Sequence, residues 1–171
     1  MRRGDVAAAE KELLAGLKLE PTATPLSVNL ADLYRATGRE AEAETVLRQA
    51  IALSPTVAAP HYALGLGLIR QKRYPEAVAE LERAARLAPD DAHYAYVYAV
   101  ALQSTGSADA ARAEIGMALA RLPYSSELLS LALNNALQAR DAAMAAPLAK
   151  TLSALLPDDP DVARIAKQLG Q

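Results

Sequence analysis

Several residue types that support common structural and catalytic roles are missing from this sequence. It has no cysteine, no tryptophan and no phenylalanine, and its aromatic content of 4% consists of seven tyrosines. The lack of cysteine excludes disulfide bonds, thiolate metal sites and covalent attachment of haem. Since large aromatic side chains are rare, we expect a core built from aliphatic side chains.

The sequence also lacks an excess of one charge and a long apolar run. Its formal net charge is −2, which argues against electrostatic binding of nucleic acid. No run approaches the ~20 apolar residues of a membrane-spanning helix, so no membrane insertion is expected. The start, Met1-Arg2-Arg3, continues with Gly4-Asp5 instead of the apolar core of a signal peptide. The compartment stays open: the cytoplasm is the default expectation without a signal peptide, and the periplasm would apply if the sequence were cut from a longer exported protein.

Alanine, which has the highest intrinsic helix propensity, makes up much of the apolar content of 52% and predicts an all-helical protein. Two residue types recur with a period of 34 residues. The two series are Pro21, Pro55, Pro89, Pro123, Pro157 and Ala9, Ala43, Ala77, Ala111, Ala145. A fixed period of this length is the signature of a repeat architecture.

Each period predicts two helices joined by a short turn, because apolar residues recur at helical spacing on both sides of a break. The predicted helices are 5–19, Thr24 to the stop at Gly38, 39–53, 58–71, 74–87, 92–105, 107–121, 126–139, 141–155 and 160–169. Gly106 repeats the stop at Gly38, and Lys72 and Arg140 take its place in the other two units. The predicted N-caps are Thr24, Ser107, Asp141 and Asp159.

The periodic small residues have a physical purpose. Two antiparallel helices nest closely only where their contact point is alanine or glycine, while leucine or tyrosine fills the space beside it. Because one hairpin cannot bury its whole apolar face, neighbouring hairpins must stack to complete the core.

The pattern resembles the tetratricopeptide repeat (TPR) family, whose loose signature runs Trp, Leu, Gly, Tyr in the first helix, Ala, Phe, Ala in the second, and then Pro. One unit matches with His61, Leu64, Gly65, Leu68, Ala77, Leu81, Ala84 and Pro89. The other units match with Ser27, Leu30, Ala31, Tyr34, Ala43, Leu47, Ala50, Pro55; Ala95, Tyr98, Ala99, Leu102, Ala111, Ile115, Ala118, Pro123; and Leu129, Ala132, Leu133, Ala136, Ala145, Ala149, Leu152, Pro157. The tryptophan is absent from every unit.

The resemblance implies an all-α fold, a right-handed α-solenoid of helix-turn-helix repeats in a single domain over 1–171. Four full repeats would occupy 24–57, 58–91, 92–125 and 126–159, and a capping helix would follow at 160–169. The segment 4–21 matches only the second helix of a repeat. We therefore expect either that the chain is cut from a longer array or that a partner covers this helix, for example in a homodimer through the half-repeat.

In a stack of TPR hairpins the first helices line a concave groove, and the resemblance implies which of their positions point into it. These positions are Val28, Asp32, Arg35, Tyr62, Leu66, Ile69, His93, Tyr96, Val100, Gln103, Ser130, Asn134 and Gln138. The groove would be apolar and aromatic in the middle and polar at its ends, as suits a protein or peptide ligand. We expect Asp32 to pair with Arg35 and Tyr62 to stack with Tyr96.

A structural role is the alternative interpretation of these positions. Tyr62 and Tyr96 could equally fill gaps between hairpins, and Tyr98, which follows the core pattern, is expected to do so. The polar positions Arg35, Gln103, Asn134 and Gln138 would then be solvated surface residues.

Some TPR proteins hold a C-terminal carboxylate with lysine and asparagine side chains. This chain has Asn134 at one such place, but Val28, Tyr62, Tyr96 and Ser130 stand where the lysines would be. We therefore do not expect binding of chaperone C-termini.

No catalytic, cofactor or metal site is predicted. His61 replaces the family tryptophan and should be packed with a hydrogen-bonded tip, and His93 should lie at a helix start or a groove edge. Neither histidine has cysteine or carboxylate neighbours at ligand spacing. The acidic doublets Asp90-Asp91 and Asp158-Asp159 are better explained by helix capping than by acid–base catalysis. We expect a protein that is not an enzyme.

Three functions remain open from the sequence. The first is a non-catalytic scaffold that binds a protein or peptide in the groove. The second is an accessory segment of a larger enzyme or electron-transfer protein, because the stretches 28–35 and 94–100 are similar to TPR tails of some bacterial multihaem cytochromes. The third is self-assembly through the repeat ends.

Overall fold

The computed structural model describes residues 3–170 of the chain. Within this range the chain forms ten helices and no strand. The helices are α1 (Arg3–Leu19), α2 (Thr24–Ala36), α3 (Glu40–Leu53), α4 (Ala58–Arg70), α5 (Tyr74–Leu87), α6 (Ala92–Ser104), α7 (Ala108–Arg121), α8 (Ser126–Gln138), α9 (Ala142–Leu155) and α10 (Pro160–Leu169). The all-helical repeat fold predicted from the sequence is confirmed, and the predicted helix ends agree within two residues. None of these helices combines the length and apolar character that a membrane span requires.

The chain divides into two compact units, one ending at Ala88 and the other beginning at Pro89. Unit 1 contains α1–α5 and unit 2 contains α6–α10. Helices α2, α4, α6 and α8 are the first helices of the hairpins, and α3, α5, α7 and α9 are the second helices.

The four turns inside the hairpins share one backbone conformation. Gly38 and Gly106 have φ angles of 77° and 84°, and Lys72 and Arg140, at the equivalent positions, have φ angles of 60° and 55°. In each turn the next N–H donates to the carbonyl five residues earlier, as Arg39 does to Tyr34 at 2.8 Å. This is the bond that closes a Schellman motif at a helix C-terminus. The predicted helix stops are therefore confirmed, including the two that lack glycine.

The helix starts are confirmed in part. Asp91, Asp141 and Asp159 cap α6, α9 and α10 by accepting backbone N–H bonds. The prediction for Thr24 is wrong. The carbonyl of Ala23 already accepts from Leu26 N–H at 3.0 Å, so Thr24 lies inside the helix. Ser107 is the N-cap residue of α7, as predicted, although its side chain makes no capping bond.

The residues that match the TPR pattern form the cores of both units. Apart from the prolines, all of them are buried, including His61 at 5% exposure and Tyr98 at 8%. The periodic Ala43, Ala77 and Ala111 are exposed by no more than 1%. The helices nest at these points because an alanine methyl group leaves room for the neighbouring backbone.

The first and last helices pack differently from the hairpins. Helix α1 contributes Val6, Ala9, Leu13 and Leu17 to the core of unit 1, but each of these side chains is only partly buried. Helix α10 buries Val162 and partly buries Ile165 and Leu169 against the core of unit 2. The opposite face of α10 carries charged side chains.

Helix α9 contains Pro147 in its interior. Proline has no N–H, so one intrahelical hydrogen bond is missing at this point. The pattern of apolar residues predicts a continuous helix over 141–155 despite this proline. The helix persists because Ala145, Ala149 and Leu152 remain buried on its inner face.

Candidate functional site

In unit 1 the predicted groove residues lie on α2 and α4, and they include both polar and apolar side chains. Tyr62 and Leu66 of α4 are half-buried. Val28 and Ile69 are also half-buried and pack against the core of unit 1, so part of their surface serves the fold. The remaining surface of these four side chains is exposed to solvent.

Arg35 is fixed at the polar end of this surface. Its Nη1 donates to Asp32 Oδ1 at 2.9 Å, which confirms the predicted pair, and its Nη2 donates to the Ala63 carbonyl at 3.2 Å. The Arg35 side chain is only 11% exposed, whereas that of Asp32 is 60% exposed. Burial lowers the pKa of Arg35, the Asp32 carboxylate opposes this, and the nearby Arg70 adds to it. The Arg35 guanidinium is thus held in one orientation, while the Asp32 carboxylate remains exposed to solvent.

Glu40, at the start of α3, extends this charged group. Its Oε1 lies 3.5 Å from Arg70 Nε, and its Oε2 is buried with no hydrogen-bond partner in the described part of the chain. Glu40 and Arg70 could not be predicted from the sequence. Their signal was weak, because each is one of many charged residues near a helix end.

In unit 2 the corresponding positions lie on α6 and α8. His93 Nδ1 lies 3.1 Å from Glu127 Oε1, and the ring of His93 stacks on Tyr96 with centroids 6.3 Å apart. His93 is exposed at the start of α6, as predicted. Tyr96 is half-buried and packs against the core cluster of Ala95, Ala118 and Leu128. Val100 is also half-buried. The predicted stacking of Tyr62 with Tyr96 stays a prediction.

The far end of the α6–α8 surface is polar. Gln103 Nε2 donates to Asn135 Oδ1 at 2.6 Å, while Asn134 and Gln138 are exposed. Asn135 was missed by the sequence analysis, although the repeat carries a signal for it. The equivalent residues of the other units are Leu33, Gly67 and Ala101, all of which are buried. A polar residue at a position that is otherwise buried points to a specific role.

His61 has the structural role that the sequence predicts. Its Nδ1 lies 2.7 Å from Glu80 Oε2, and its Nε2 lies 3.3 Å from the Pro55 carbonyl. Because a carboxylate can only accept, Nδ1 donates to Glu80. The ring therefore ties α4 to α5 within the hairpin. Across residues 3–170, no three His, Asp or Glu side chains converge in a way that could hold a metal ion.

In unit 1 the same ion-pair motif occurs twice, at positions 34 residues apart. One copy joins α1 to the start of α3, and the other joins α3 to the start of α5. Arg39 contacts Glu10 at 2.7 Å and Glu42 at 2.6 Å, and Arg73 contacts Glu44 at 2.7 Å and Glu76 at 2.6 Å. We call the second copy, together with Arg48, the ionic seam. Arg48 joins it through Glu44 at 2.7 Å and Glu76 at 3.6 Å.

These contacts change the pKa values of the acidic members. A hydrogen bond from Arg39 lowers the pKa of Glu10, and one from Arg73 lowers the pKa of Glu76. Burial opposes the ionisation of Glu44, but its pKa is still lowered because Arg48 and Arg73 both donate to it. The seam therefore stabilises unit 1 only while its carboxylates are ionised.

Comparisons with known proteins agree with this architecture. The chain is similar to MamA (20% identity over 95% of this chain and 93% of that one, TM-score 0.67). It is similar to YrrB, a TPR protein with an unusual peptide-binding site (18% identity, 96% and 84% coverage, TM-score 0.67). It is also similar to TTC0263, a thermophilic TPR protein of Thermus thermophilus (22% identity, 98% and 92% coverage, TM-score 0.65). At these identities the likeness shows the fold alone.

The family comparison is made on the sequence. No curated protein sequence matches the chain. Two patterns of the family described as tetratricopeptide repeat match residues 1–58 and 58–91, which together span more than half of the chain. With the buried small residues and the repeated hairpins, these matches lead to one conclusion: the chain belongs to the tetratricopeptide repeat family.

Proposed function

We propose that the chain is a non-catalytic scaffold that binds a protein or peptide on the first-helix faces of its units. The observation that carries this proposal is the set of half-buried apolar and aromatic side chains on these faces, Tyr62 and Leu66 in unit 1 and Tyr96 and Val100 in unit 2. Rigid aromatic and aliphatic anchors surrounded by polar groups are typical of protein interfaces.

The polar groups of unit 1 suggest what such a ligand would carry. Arg35 is already bound to Asp32 and to the Ala63 carbonyl, so it is a poor clamp for a terminal carboxylate. Asp32 is largely exposed and can accept hydrogen bonds from a ligand. We therefore propose an apolar peptide segment with a basic or amide donor next to it. YrrB, with its peptide-binding site, is a structural precedent for this kind of ligand.

The test begins with peptides selected from a random library on the wild-type chain. Leu66→Arg and Val100→Arg should each weaken binding of the peptides selected on that unit by at least ~10-fold, because a charge replaces an apolar anchor. The matched controls are Ala79→Arg in α5 and Ala113→Arg in α7, which place the same charge at exposed second-helix positions. Fluorescence polarisation with labelled peptides gives the affinities. Equal binding by Leu66→Arg and Ala79→Arg would refute the proposal for unit 1.

Self-association through α1 is a second candidate function, of the kind an accessory assembly segment would have. It is favoured by two leucines on this helix, Leu14 at 46% and Leu19 at 88% exposure. Light scattering coupled to size-exclusion chromatography should then show a mass that rises with concentration. Leu14→Glu together with Leu19→Glu should abolish that rise. A monomeric mass for the wild-type chain at every concentration would exclude this candidate.

A further inference from the structure

Unit 2 contains a pocket of about 590 Å³ between the second helices α7 and α9, to which α8 also contributes. Its apolar lining includes Ile115 and Leu119 of α7 and Met144 and Leu148 of α9. Gly116 forms part of the α7 wall, and a Cβ atom placed on it would meet nothing within 4 Å. The pocket is thus open at the place that a side chain of residue 116 would occupy.

The repeat explains why this space is open. Two periods earlier, unit 1 has the ionic seam between α3 and α5 at the equivalent place. There Arg48 and Glu76 fill the gap, whereas unit 2 has Gly116 and Met144 at the equivalent positions. Glu80, which binds His61 in unit 1, corresponds to Leu148. Three polar side chains of unit 1, those of Arg48, Glu76 and Glu80, are thus replaced in unit 2 by a glycine and two apolar residues.

The charged pair at the centre of the seam is reversed in unit 2 and does not close the gap. Glu44 corresponds to Arg112 and Arg73 to Asp141, and both line the pocket. Each is held by a neighbour on or next to its own helix. Arg112 pairs with Asp109, and Asp141 accepts from the Met144 N–H at 3.0 Å. The lining thus carries one charge of each sign, and both already have partners.

Asn135 supplies the remaining polar group. Its Oδ1 accepts from Gln103, but its Nδ2 is buried and has no hydrogen-bond partner within residues 3–170. A buried amide donor without a partner is destabilising and rare in folded proteins. Because Asn135 also lines the pocket, a modest rotation of its side chain would bring Nδ2 to an acceptor on a ligand in the pocket.

We propose that this pocket binds an uncharged, largely apolar small molecule that carries one hydrogen-bond acceptor, such as a ketone or amide oxygen. The volume lies within the range of about 300–1,000 Å³ that is usual for small-molecule sites, and a mostly apolar lining with few polar groups is typical of them. A neutral ligand fits because Arg112 and Asp141 balance each other. The site uses residues of α8 other than the exposed Asn134 and Gln138, so it does not depend on the proposed peptide binding.

Two probes of the same shape test the role of the acceptor: butyrophenone, which has a carbonyl oxygen, and butylbenzene, which has none. The chain has only three methionines, so ¹³C labelling of their ε-methyl groups gives a simple NMR spectrum. Both probes should shift the Met144 signal in a saturable way. Butyrophenone should bind about two- to tenfold more tightly, which is the usual net effect of one hydrogen bond. No saturable shift, or equal affinity for the two probes, would overturn the proposal.

Three variants complete the experiment. Gly116→Leu should fill the pocket and abolish the shift, whereas Ala110→Leu, at an exposed position of α7 that does not line the pocket, should leave it unchanged. Asn135→Leu should still bind both probes but lose the preference for butyrophenone. Unaltered binding in Gly116→Leu would show that the probes lie elsewhere, and a retained preference in Asn135→Leu would show that its amide is not the donor. Either result would refute the assignment.

Discussion

Gly65 of α4 lies so close to Leu81 of α5 that a Cβ atom on Gly65 would come within 2.7 Å of Leu81 Cγ. The Ala77 carbonyl oxygen would lie 3.3 Å from the same atom. Leu81 is completely buried, which leaves little space for its side chain to shift. In this hairpin, glycine at position 65 is therefore required by the close approach of α4 and α5.

The first prediction follows from this contact. Gly65→Ala should destabilise the chain by about 1–3 kcal/mol, because overpacking a filled core outweighs the gain in helix propensity. Gly116→Ala is the matched control, since its Cβ would enter open space. The control should be stabilised by about 0.5–1 kcal/mol, the usual difference between glycine and alanine in a helix. Urea unfolding followed by circular dichroism measures both values. An unchanged free energy of unfolding in Gly65→Ala would mean that α4 and α5 are packed less tightly than the structure shows.

The second prediction concerns the turn residue Lys72, whose φ angle is 60°. This left-handed conformation costs a residue with a Cβ atom roughly 1–2 kcal/mol. Lys72→Gly should therefore raise the free energy of unfolding by about 1 kcal/mol. Lys72→Ala removes the same charge but keeps the Cβ atom, so it should give no such gain. An equal gain in the two variants would point to the charge and not to the backbone.

The third prediction concerns acid sensitivity. The pKa values of Glu10, Glu42, Glu44 and Glu76 all lie below the ordinary value of 4.5 in the folded chain. A lowered folded-state pKa contributes stability that is present above the unfolded-state pKa and is lost as the pH falls through the folded-state value. The free energy of unfolding should thus decrease as the pH is lowered from about 5 to about 3.

Removing the arginines tests this link. The double variant Arg39→Met, Arg73→Met should be less stable at neutral pH and should lose less further stability on acidification. Arg83→Met, at an exposed position of α5, should behave like the wild type in both respects. Urea titrations at several pH values, at low and high salt, provide the comparison. Parallel pH profiles for the double variant and the wild type would contradict the role of the two ion-pair motifs.

The fourth prediction concerns Pro147, inside α9. Pro147→Ala restores an N–H to the helix and should stabilise unit 2 by up to about 3 kcal/mol. Pro75, in the first turn of α5, provides the control, because its missing N–H would have no partner within the helix. Pro75→Ala should change the stability by less than about 1 kcal/mol. Hydrogen exchange of the α9 amides would show whether the gain is local, and unaltered protection there would refute this explanation.

The fold could be predicted almost completely from the sequence because its determinants are local and periodic. The series through Ala43, Ala77 and Ala111 marks the helix contacts, and all three residues are buried as expected. The stops at Gly38 and Gly106 follow from a backbone conformation that glycine adopts easily. Thr24 was mistaken for a cap, and the hydroxyl of Ser107 makes no capping bond, because a hydroxyl at such a position is only a preference and the backbone geometry decides whether it binds.

The candidate site was less predictable because it depends on contacts between side chains distant in sequence. The Asp32–Arg35 pair was found, since its members are three residues apart on one helix. The pairing of Gln103 with Asn135, 32 residues apart, was not found. Nor were the two Arg–Glu motifs, although they repeat with the same period as the alanines. Long polar side chains have many rotamers, so spacing alone does not tell which partner each one reaches.

The sequence by itself determined the helices, their turns, the repeated hairpin and the residues that fill the cores, since burial of periodic small and aliphatic side chains leaves little choice of structure. Only the tertiary structure decided what lies between consecutive second helices. In unit 1 the charged side chains of Arg73 and Glu44 meet there, and in unit 2 a pocket beside Gly116 remains open. The physical reason is that this space is shared by two helices of different repeats, and its contents depend on the three-dimensional reach of side chains that no single helix specifies.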